Sequence, residues 1–313
     1  MAPLAIHPQQ AADAGVMVLL WVASVFAFAT MIAVSRTRSW PAELFSRFRP
    51  HLIAAGVVVT AVCVVEHRYG VAALAFVGVL ANAATFPKLR YCIPAPDNAA
   101  SLCVLWANLW KREQALVRTI GYARKERADV LLFSEFPKVN DSWFAEHAND
   151  YPHVLISQVS DAAFTSSVAI LSKLPLERCE TIVASPLEQR PLQSAHVRCG
   201  DALLQINAIH PAAPGTPQML RDRDTAIRMV FERLAAPAIV AGDFNAAPWC
   251  PALTSAPVRV GNPLRESTWL TRLPLIGLPI DHLFITPSVR VSAYEVGPFL
   301  GSDHRALLAR VHI

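Results

Sequence analysis

The sequence is poor in charge, and it contains no internal repeat and no low-complexity tract. Charged residues make up 17% of the 313 residues, apolar residues make up 53%, and the mean hydropathy is +0.35. Ordinary soluble domains carry about 25% charged residues. The composition therefore excludes a chain that is soluble throughout, and the missing repeats argue against a repeat architecture.

The apolar excess lies in the first ninety residues. Gly15–Val34 is a twenty-residue run without charge, and a helix of about 20 apolar residues crosses a bilayer core. Leu52–Val65 and Val71–Phe86 are shorter apolar runs. Each could span the bilayer with its flanks, the two could form a tight helical hairpin, or both could be buried core helices. We predict a membrane anchor over residues 1–90, with transmembrane helices at about 15–34, 50–66 and 70–87.

The flanks of these runs bear on targeting and orientation. No lysine or arginine precedes the first run, and no small-residue cleavage site follows it, so it resembles an anchor more than a secretory signal. The loop Ser35–Pro50 holds four arginines and one acid, and Lys88 and Arg90 follow the third run. We therefore expect a multi-pass protein of the cell (inner) membrane, and the positive-inside rule predicts that the following domain is cytoplasmic.

Beyond the anchor, the sequence changes character. Ile93–Ala100 contains two prolines, Asp97 and Asn98, which indicates a linker at 91–100. From 101 to 313, short apolar runs typical of strands dominate, with a few helices of which 112–127 and 218–234 are the longest. This order predicts an α+β sandwich of two sheets flanked by helices.

Polar residues follow several of the predicted strands. A carboxylate placed directly after a buried strand needs a cation or a hydrogen-bonding neighbour, because burying it unpaired is costly. Each residue alone is equally typical of a turn or cap, but six such positions in one domain indicate a functional site. These positions are Asn108, Glu135, His210, Asp243 with Asn245, Asp281, and Asp303 with His304.

The stretch Gly242–Asn245 follows the apolar run Ala238–Val240. If the strand continued through Asn245, the side chains of Asp243 and Asn245 would point to the same face. A carboxylate beside an amide suits a hydrated cation and a phosphate oxygen. A simple turn next to Gly242 is the alternative.

The ordered set of polar residues, with Gly-Asp-Phe-Asn at 242–245 and Ser-Asp-His at 302–304, resembles the endonuclease/exonuclease/phosphatase (deoxyribonuclease I-like) superfamily. The resemblance covers about residues 101–313 and is to bacterial membrane-anchored members. It implies a four-layered α/β sandwich, in which two packed, mainly antiparallel sheets are flanked by helices. Some such members face the outside of the cell, so the side of the membrane stays open.

The resemblance also implies a metal. Glu135, helped by Asn108 and Asp303, would hold Mg²⁺ or Mn²⁺. Magnesium prefers a few carboxylates together with water and substrate phosphate. Such an ion polarises the phosphoryl oxygen and neutralises charge in the transition state.

The implied reaction is in-line hydrolysis of a phosphoester without a covalent enzyme intermediate. His304 would act on the attacking water or the phosphate, and Asp281 would fix its tautomer and orientation. His210 would donate to a phosphate oxygen or to the leaving group. Asp243 and Asn245 would orient the water.

The charge balance bears on the substrate. The first ninety residues hold seven of the 28 Lys+Arg and three of the 24 Asp+Glu, which leaves 21 bases and 21 acids after them. A neutral domain argues against processive binding to a duplex, because phosphate contacts supply most of that affinity. Arg221 and Arg223 are the candidates for phosphate contact, with a solvated helix start as the alternative.

Three hypotheses follow. A membrane anchor raises the effective concentration of membrane-borne substrates, so a phosphoesterase acting on a lipid-linked phosphate comes first. The bond could be a diester, a monoester or a pyrophosphate. A membrane-tethered endo- or exonuclease is the second hypothesis, with nucleic acid as the less favoured partner. A catalytically silent membrane scaffold is the third, and no protein partner is predicted.

The cysteines do not settle which side of the membrane the domain after residue 90 faces. Five of the six lie beyond the membrane region, and an odd number weakly favours a reducing compartment. Cys179 and Cys199 flank a stretch that could form two antiparallel strands, so a disulfide between them is a testable idea.

Overall fold

The computed structural model describes residues 8–35, 37, 39–86, 100–157, 167–185, 190–253, 256, 258–260, 266–273 and 275–313. The chain divides into a helical unit, Met1–Pro87 with Trp249–Pro251, and a larger unit that contains the remaining residues. Of the linker expected at 91–100, only Ala100 is described. Arg36, Arg38, Lys88 and Arg90, on which the orientation prediction partly rests, also lie outside the described residues.

The three longer helices of the helical unit pack around the side chain of Phe26. The described helices of this unit are α1 Pro8–Val34, α2 Trp40–Arg47, α3 Arg49–Val65 and α4 Tyr69–Ala84. A Cβ on Gly56 or Gly78 would collide with the ring of Phe26 on α1, so these glycines allow the three long helices to pack closely. Asn82 Nδ2 donates to Thr30 Oγ1 at 3.2 Å within this bundle.

The prediction of three membrane helices is corrected by the helix lengths. Within the described residues, Ala14–Val34 is the one helix long and apolar enough to span a bilayer by itself, with 21 residues and a mean hydropathy of 2.4. The helices α2 and α3 pass the same test only as a pair, and they are bent by 67°. The 16 residues of α4 fall short of the roughly 20 that a span needs.

The larger unit contains twelve strands and three α-helices in its described residues. In chain order, these elements are β1 Ser101–Asn108, α5 Glu113–Lys125, β2 Val130–Ser134, α6 Asp141–His147, β3 His153–Ile156, β4 Val168–Ser172, β5 Glu177–Ser185, β6 Arg190–Cys199, β7 Ala202–Ile209, α7 Pro217–Glu232, β8 Ala238–Asp243, β9 Val258–Val260, β10 Asp281–Ile285, β11 Arg290–Val296 and β12 Leu307–His312.

These strands form two six-stranded sheets. The first has the order β11-β12-β1-β2-β4-β3 and the second β5-β6-β7-β8-β10-β9. The pairs β1–β2 and β7–β8 run parallel, and the other paired strands are antiparallel. The predicted α+β architecture of two mainly antiparallel sheets with flanking helices is confirmed.

The central strands are buried on both faces, which explains their continuous apolar sequences. Alternate residues of β1, such as Val104 and Trp106, join the core between the two sheets, together with Ile206 of β7 and Ile239 of β8. The intervening residues, such as Leu105, face outward and pack beneath α5 and α6. On the far side, α7 contributes Phe231, whose ring contacts Phe244 and Phe284.

Cys179 and Cys199 are free thiols in the structure, the first exposed and the second buried. Cys199 ends β6 opposite Ala202, whereas Cys179 lies at an irregularity in β5, between residues that pair with His196 and Ser194. The disulfide considered from the sequence is therefore not formed.

Candidate active site

The two parallel strand pairs place the predicted polar residues at one end of the sandwich. Asn108 ends β1 opposite Ser134, the last residue of β2, so Asn108 and Glu135 emerge together. Ile209 pairs with Gly242, so His210 and Asp243 emerge together from the second sheet. Parallel neighbours share their carboxyl ends, which is why residues distant in sequence converge here.

The carboxylate of Asp243 is the point on which the site converges. Its Oδ2 accepts a hydrogen bond from Asn108 Nδ2 at 3.1 Å and lies 3.3 Å from His210 Nε2 and 3.6 Å from His304 Nε2. Burial by itself raises the pKa of Asp243, but the charge of His304 and the hydrogen bond from His210 hold the pKa well below its ordinary value. Asp243 therefore stays ionised although it is buried.

Glu135 lies beside Asp243 and is more open to solvent. Its Oε1 is 3.4 Å from Asn108 Nδ2 and 4.0 Å from His210 Nε2. Glu135 has a left-handed backbone, with φ of 48°, and such a conformation costs a non-glycine residue about 1–3 kcal/mol. Its carbonyl oxygen accepts from Lys111 N at 2.9 Å, which helps to hold it there.

Asp281 and His304 form a hydrogen-bonded dyad. His304 Nδ1 donates to Asp281 Oδ2 at 2.8 Å, and the indole Nε1 of Trp106 donates to the other oxygen, Oδ1, at 2.9 Å. The backbone N–H groups of Ile280 and Asp281 both donate to Thr268 Oγ1 at 3.1 Å. The carboxylate is thus fixed on both of its oxygens and at its backbone.

The charge state of His304 follows from its acidic surroundings. Burial lowers the pKa of His304, but the charges of Asp281 and Asp243, together with the hydrogen bond to Asp281, outweigh burial and raise the pKa to about 10. In the ligand-free protein, the imidazole is therefore a cation at neutral pH. A cation in this position is suited to bind a phosphate oxygen.

His210 has its tautomer set by an arginine. Arg190 Nη1 lies 3.5 Å from His210 Nδ1, and a guanidinium can only donate. Nδ1 is therefore the acceptor, and Nε2 carries the hydrogen that points toward Asp243. Such a hydrogen is available to a phosphate oxygen or a leaving group.

Asn245 departs from the strand conformation considered above. β8 ends at Asp243, and Asn245 is left-handed with φ of 48°. Its backbone N–H donates to Asp243 Oδ1 at 3.0 Å, the local bond that makes Asx residues typical of turns. Its side-chain Nδ2 donates to the carbonyl oxygen of Pro211 at 3.1 Å, so the turn, and not strand alternation, directs this side chain.

Asp303 is partly exposed beside the dyad. Its Oδ2 accepts from the indole Nε1 of Trp269 at 3.3 Å, and its Oδ1 accepts from Ser302 Oγ at 3.4 Å. The same serine hydroxyl accepts from the backbone N–H of His304 at 3.1 Å. Ser302 therefore links Asp303 to His304.

The two arginines expected to contact phosphate have different positions. Arg221 is exposed on α7, where its role in substrate binding stays a prediction. Arg223 is fully buried, and its guanidinium contacts Asp224 and the backbone carbonyl of Asn245. Arg223 therefore makes internal contacts in the structure, and its contact with phosphate stays a prediction.

The acids and histidines could hold a metal ion. Ligand atoms of Asp243, Asp281 and His304 all lie within 4.8 Å of one another. Both oxygens of Asp281, however, already accept hydrogen bonds from Trp106 and His304. Glu135, which is more open to solvent, is therefore the better oxygen donor, and hard oxygen ligands suit Mg²⁺ or Mn²⁺.

Sequence reasoning missed three residues of the site, Trp106, Thr268 and Arg190. Trp106 lies two residues before Asn108, on the same face of β1, and this spacing could have identified it. The positions of Thr268 and Arg190 depend on strand pairing between distant segments. No local pattern in the sequence marks either residue.

The chain is similar to known proteins over its larger unit. Residues 105–304 match the model of the Endonuclease/Exonuclease/phosphatase family. Similar solved structures include a humanized D. rerio TDP2 (17% identity, 68% of this chain and 99% of that chain, TM-score 0.55). The human Nocturnin catalytic domain with bound sulfate is another, with 13% identity, 69% of this chain and 96% of that chain covered, and a TM-score of 0.52. An AP endonuclease from Archaeoglobus fulgidus has 16% identity, with 66% of this chain and 98% of that chain covered, and a TM-score of 0.51. These identities show a shared fold alone, and no curated protein matches the sequence significantly.

Proposed function

This chain belongs to the endonuclease/exonuclease/phosphatase family, and from that premise we propose that it is a membrane-anchored, divalent-metal-dependent phosphoesterase. Membership makes the chain a hydrolase of ester bonds. The bond would be a phosphodiester, a phosphomonoester or a pyrophosphate, opened by in-line attack of water. The observation that carries the proposal is the convergence of Asn108, His210 and His304 on the ionised carboxylate of Asp243.

Glu135 and Asp303 would hold the ion, Mg²⁺ or Mn²⁺, and Asn108 would position Glu135 by its hydrogen bond. When bound, such an ion polarises the phosphoryl oxygen and offsets the charge that develops in the transition state. The orientation of the Asn108 side-chain amide supports a positioning role. Its Oδ1 accepts a hydrogen bond from Trp110 N at 3.0 Å, and its Nδ2 therefore faces the carboxylates of Glu135 and Asp243.

The protein's own groups would then act as follows. Asp243, with Asn245 beside it, accepts a hydrogen bond from the attacking water and orients it. The cationic His304 and the Nε2–H of His210 bind phosphate oxygens, and such preorganised donors stabilise charge that develops during the reaction. Asp281 keeps the imidazole of His304 in place.

This mechanism is tested with the full chain in detergent micelles and bis-p-nitrophenyl phosphate as the substrate. Hydrolysis should require Mg²⁺ and disappear with EDTA. Asp243→Asn and His304→Gln should each lower kcat by about 10²- to 10³-fold. Asp201→Asn, at an exposed turn between β6 and β7, should leave kcat unchanged.

Activity that survives EDTA, or that is unchanged in both site variants, would contradict the mechanism. A wild-type chain that is folded and inactive on every phosphate ester would favour the silent scaffold.

We propose that α1 anchors the chain in a bilayer and that a lipid-linked phosphate is the first substrate class. Support comes from the length and hydropathy of Ala14–Val34 and from its exposed apolar side chains, among them Met17, Trp21 and Phe28. An anchored enzyme meets membrane-borne substrates at a raised effective concentration. The chain should stay with membranes through an alkaline carbonate wash, and its release into the supernatant would contradict anchoring.

A second candidate function is a nuclease, and one observation favours it. Trp110, two residues after Asn108, is 42% exposed, and the guanidinium carbon of Arg112 lies 3.7 Å from its ring centroid. Exposed aromatic and arginine side chains are typical platforms for single-stranded bases. D. rerio TDP2 was solved with a single strand DNA product. Trp110→Ala should then impair cleavage of single-stranded DNA more than of bis-p-nitrophenyl phosphate, and no DNA cleavage would exclude this candidate.

A further inference from the structure

Arg223 on α7 is buried to an unusual degree for an arginine. Its side chain is 0% exposed, and arginines are almost never fully buried unless they are paired. Its Nε and Nη2 donate to Asp224 Oδ1 at 2.9 and 2.7 Å. This pairing balances the charge on one edge of the guanidinium.

Another nitrogen of the same guanidinium reaches the candidate active site. Arg223 Nη1 donates to the backbone carbonyl oxygen of Asn245 at 3.0 Å. The planar fork of arginine allows two partners to be held at fixed geometry. Lysine has a single charged nitrogen and cannot reproduce both contacts.

Asn245 needs such contacts because its backbone is left-handed, a conformation that non-glycine residues avoid. Its hydrogen bonds include three that tie it to its surroundings. Its N–H donates to Asp243, its side-chain amide donates to the carbonyl oxygen of Pro211, and its own carbonyl oxygen accepts from Arg223. Pro211 follows His210 directly. Asn245 therefore ties the carboxylate of Asp243 to the backbone beside His210.

We propose that Arg223 is a positioning residue that fixes the left-handed backbone of Asn245 and, through it, the arrangement of Asp243 and His210. This inference rests on the proposed function, in which Asn245 helps to orient the attacking water. A buried arginine that only stabilises the fold is the alternative. The two are separated by replacing Asn245 with glycine, which adopts a left-handed backbone without strain and has no side chain to position.

The test is a double-mutant cycle on the full chain, using bis-p-nitrophenyl phosphate with Mg²⁺. Arg223→Met should lower kcat by about 10- to 100-fold with KM within about twofold, because a small misplacement of catalytic groups has effects of that size. In the Asn245→Gly background, the same change should lower kcat by less than about threefold. An equal factor in both backgrounds would overturn the inference.

A matched control is Arg233→Met at the end of the same helix, where the guanidinium pairs with the exposed carboxylate of Glu180. It should leave kcat unchanged. If Arg223→Met does not fold, Arg223→Lys carries the same cycle, and it should lower kcat in the wild-type background but not in the Asn245→Gly background.

Thermal unfolding gives a readout that needs no activity. The fall in Tm caused by the Arg223 change should be smaller when residue 245 is glycine than when it is asparagine. If the wild-type chain hydrolyses no substrate, the proposed function is wrong. The Tm measurements would still test whether Arg223 and Asn245 are coupled. If the wild type is active and the Arg223 and Asn245 changes are additive in both kcat and Tm, the inference is wrong and the proposed function stands.

Discussion

Asp281 accepts one hydrogen bond on each carboxylate oxygen, and the two donors have different tasks. His304 is the group that would meet the phosphate, whereas Trp106 is buried and contacts only the far oxygen. A carboxylate held at one oxygen can rotate about its χ2 torsion, since such torsions are broad. The indole of Trp106 removes this freedom, and the orientation of His304 depends on it.

Trp106→Phe should therefore lower kcat by about 10- to 100-fold, since a hydrogen bond to a charged group contributes about 1.5–3 kcal/mol. Trp143→Phe is the matched control, because Trp143 Nε1 also donates to a carboxylate, that of Glu113, at 3.0 Å. Steady-state kinetics with bis-p-nitrophenyl phosphate measure the difference. Equal loss of kcat in the two variants would mean that Trp106 acts through general stability alone.

The pKa of His304 predicts how the stability of the metal-free protein depends on pH. The pKa is raised to about 10 in the folded chain from about 6.5 in an unfolded chain. The protonated imidazole therefore favours folding, and its contribution is complete below about pH 6.5 and is lost as the pH rises through 10. With EDTA present, the unfolding free energy of wild type minus that of His304→Gln should shrink from pH 6 to pH 10.

Urea unfolding of the detergent-solubilised chain at several pH values measures this difference. Groups that titrate equally in both proteins cancel in the comparison. A difference that stays constant from pH 6 to pH 10 would contradict the acidic environment assigned to His304.

Single residues of the site differ in how far the sequence could identify them. Asn108, Glu135, His210 and Asp243 follow apolar runs, so their positions at strand ends were predictable from the chain alone. The burial of Arg223 was not predictable. Its sequence, between Asp222 and Asp224, is equally typical of a solvated helix start, and only the packing of α7 decides between the two.

At the level of elements, the close approach of β7 and β8 places His210 and Asp243 side by side. Gly242 of β8 pairs with Ile209 of β7, and a Cβ on Gly242 would collide with the carbonyl oxygen and side chain of Ile209. Any larger residue must push the two strands apart. Because His210 and Asp243 follow directly, such a shift would separate the side chains of these two residues.

Gly242→Ala should destabilise the fold by about 1–3 kcal/mol, the usual range for overpacking, and should lower kcat as well. Gly121→Ala is the control, since nothing lies within 4 Å of a Cβ added there in α5. Alanine should stabilise that helix by up to about 1 kcal/mol. Chemical denaturation and kinetics on both variants test the prediction, and a Gly242→Ala chain with full stability would contradict the packing argument.

The elements themselves were predictable where their sequences were strongly apolar. β1 and β2 are examples, because both faces of these strands are buried and their sequences are apolar along nearly their whole length. β6, which begins at Arg190, is the contrary case. Its first half contains Pro191 and Gln193, which are poor strand formers by propensity, and pairing with β5 and β7 overrides that preference.

For the whole molecule, composition revealed an apolar N-terminal region but not how many of its helices are long enough to span a bilayer. The break at Phe48, between α2 and α3, sets where the second helix begins, and helix bounds of this kind are not encoded in hydropathy. Family membership likewise establishes hydrolysis without naming a substrate, because one fold supports many reactions. Because acids and bases are equal in number after residue 90, the apolar helix α1 is the strongest clue to the substrate.

If a lipid-linked phosphate is the substrate, the rate should follow the surface concentration of that lipid and not its bulk concentration. The full chain reconstituted in phosphatidylcholine vesicles should hydrolyse a fixed amount of phosphatidic acid more slowly as more phosphatidylcholine is added, because encounter within a bilayer is two-dimensional. Hydrolysis of soluble bis-p-nitrophenyl phosphate by the same vesicles should not change. A lipid rate that is insensitive to dilution, or vesicles that cleave only the soluble ester, would contradict the membrane-borne substrate and leave an anchored enzyme that acts on soluble phosphates.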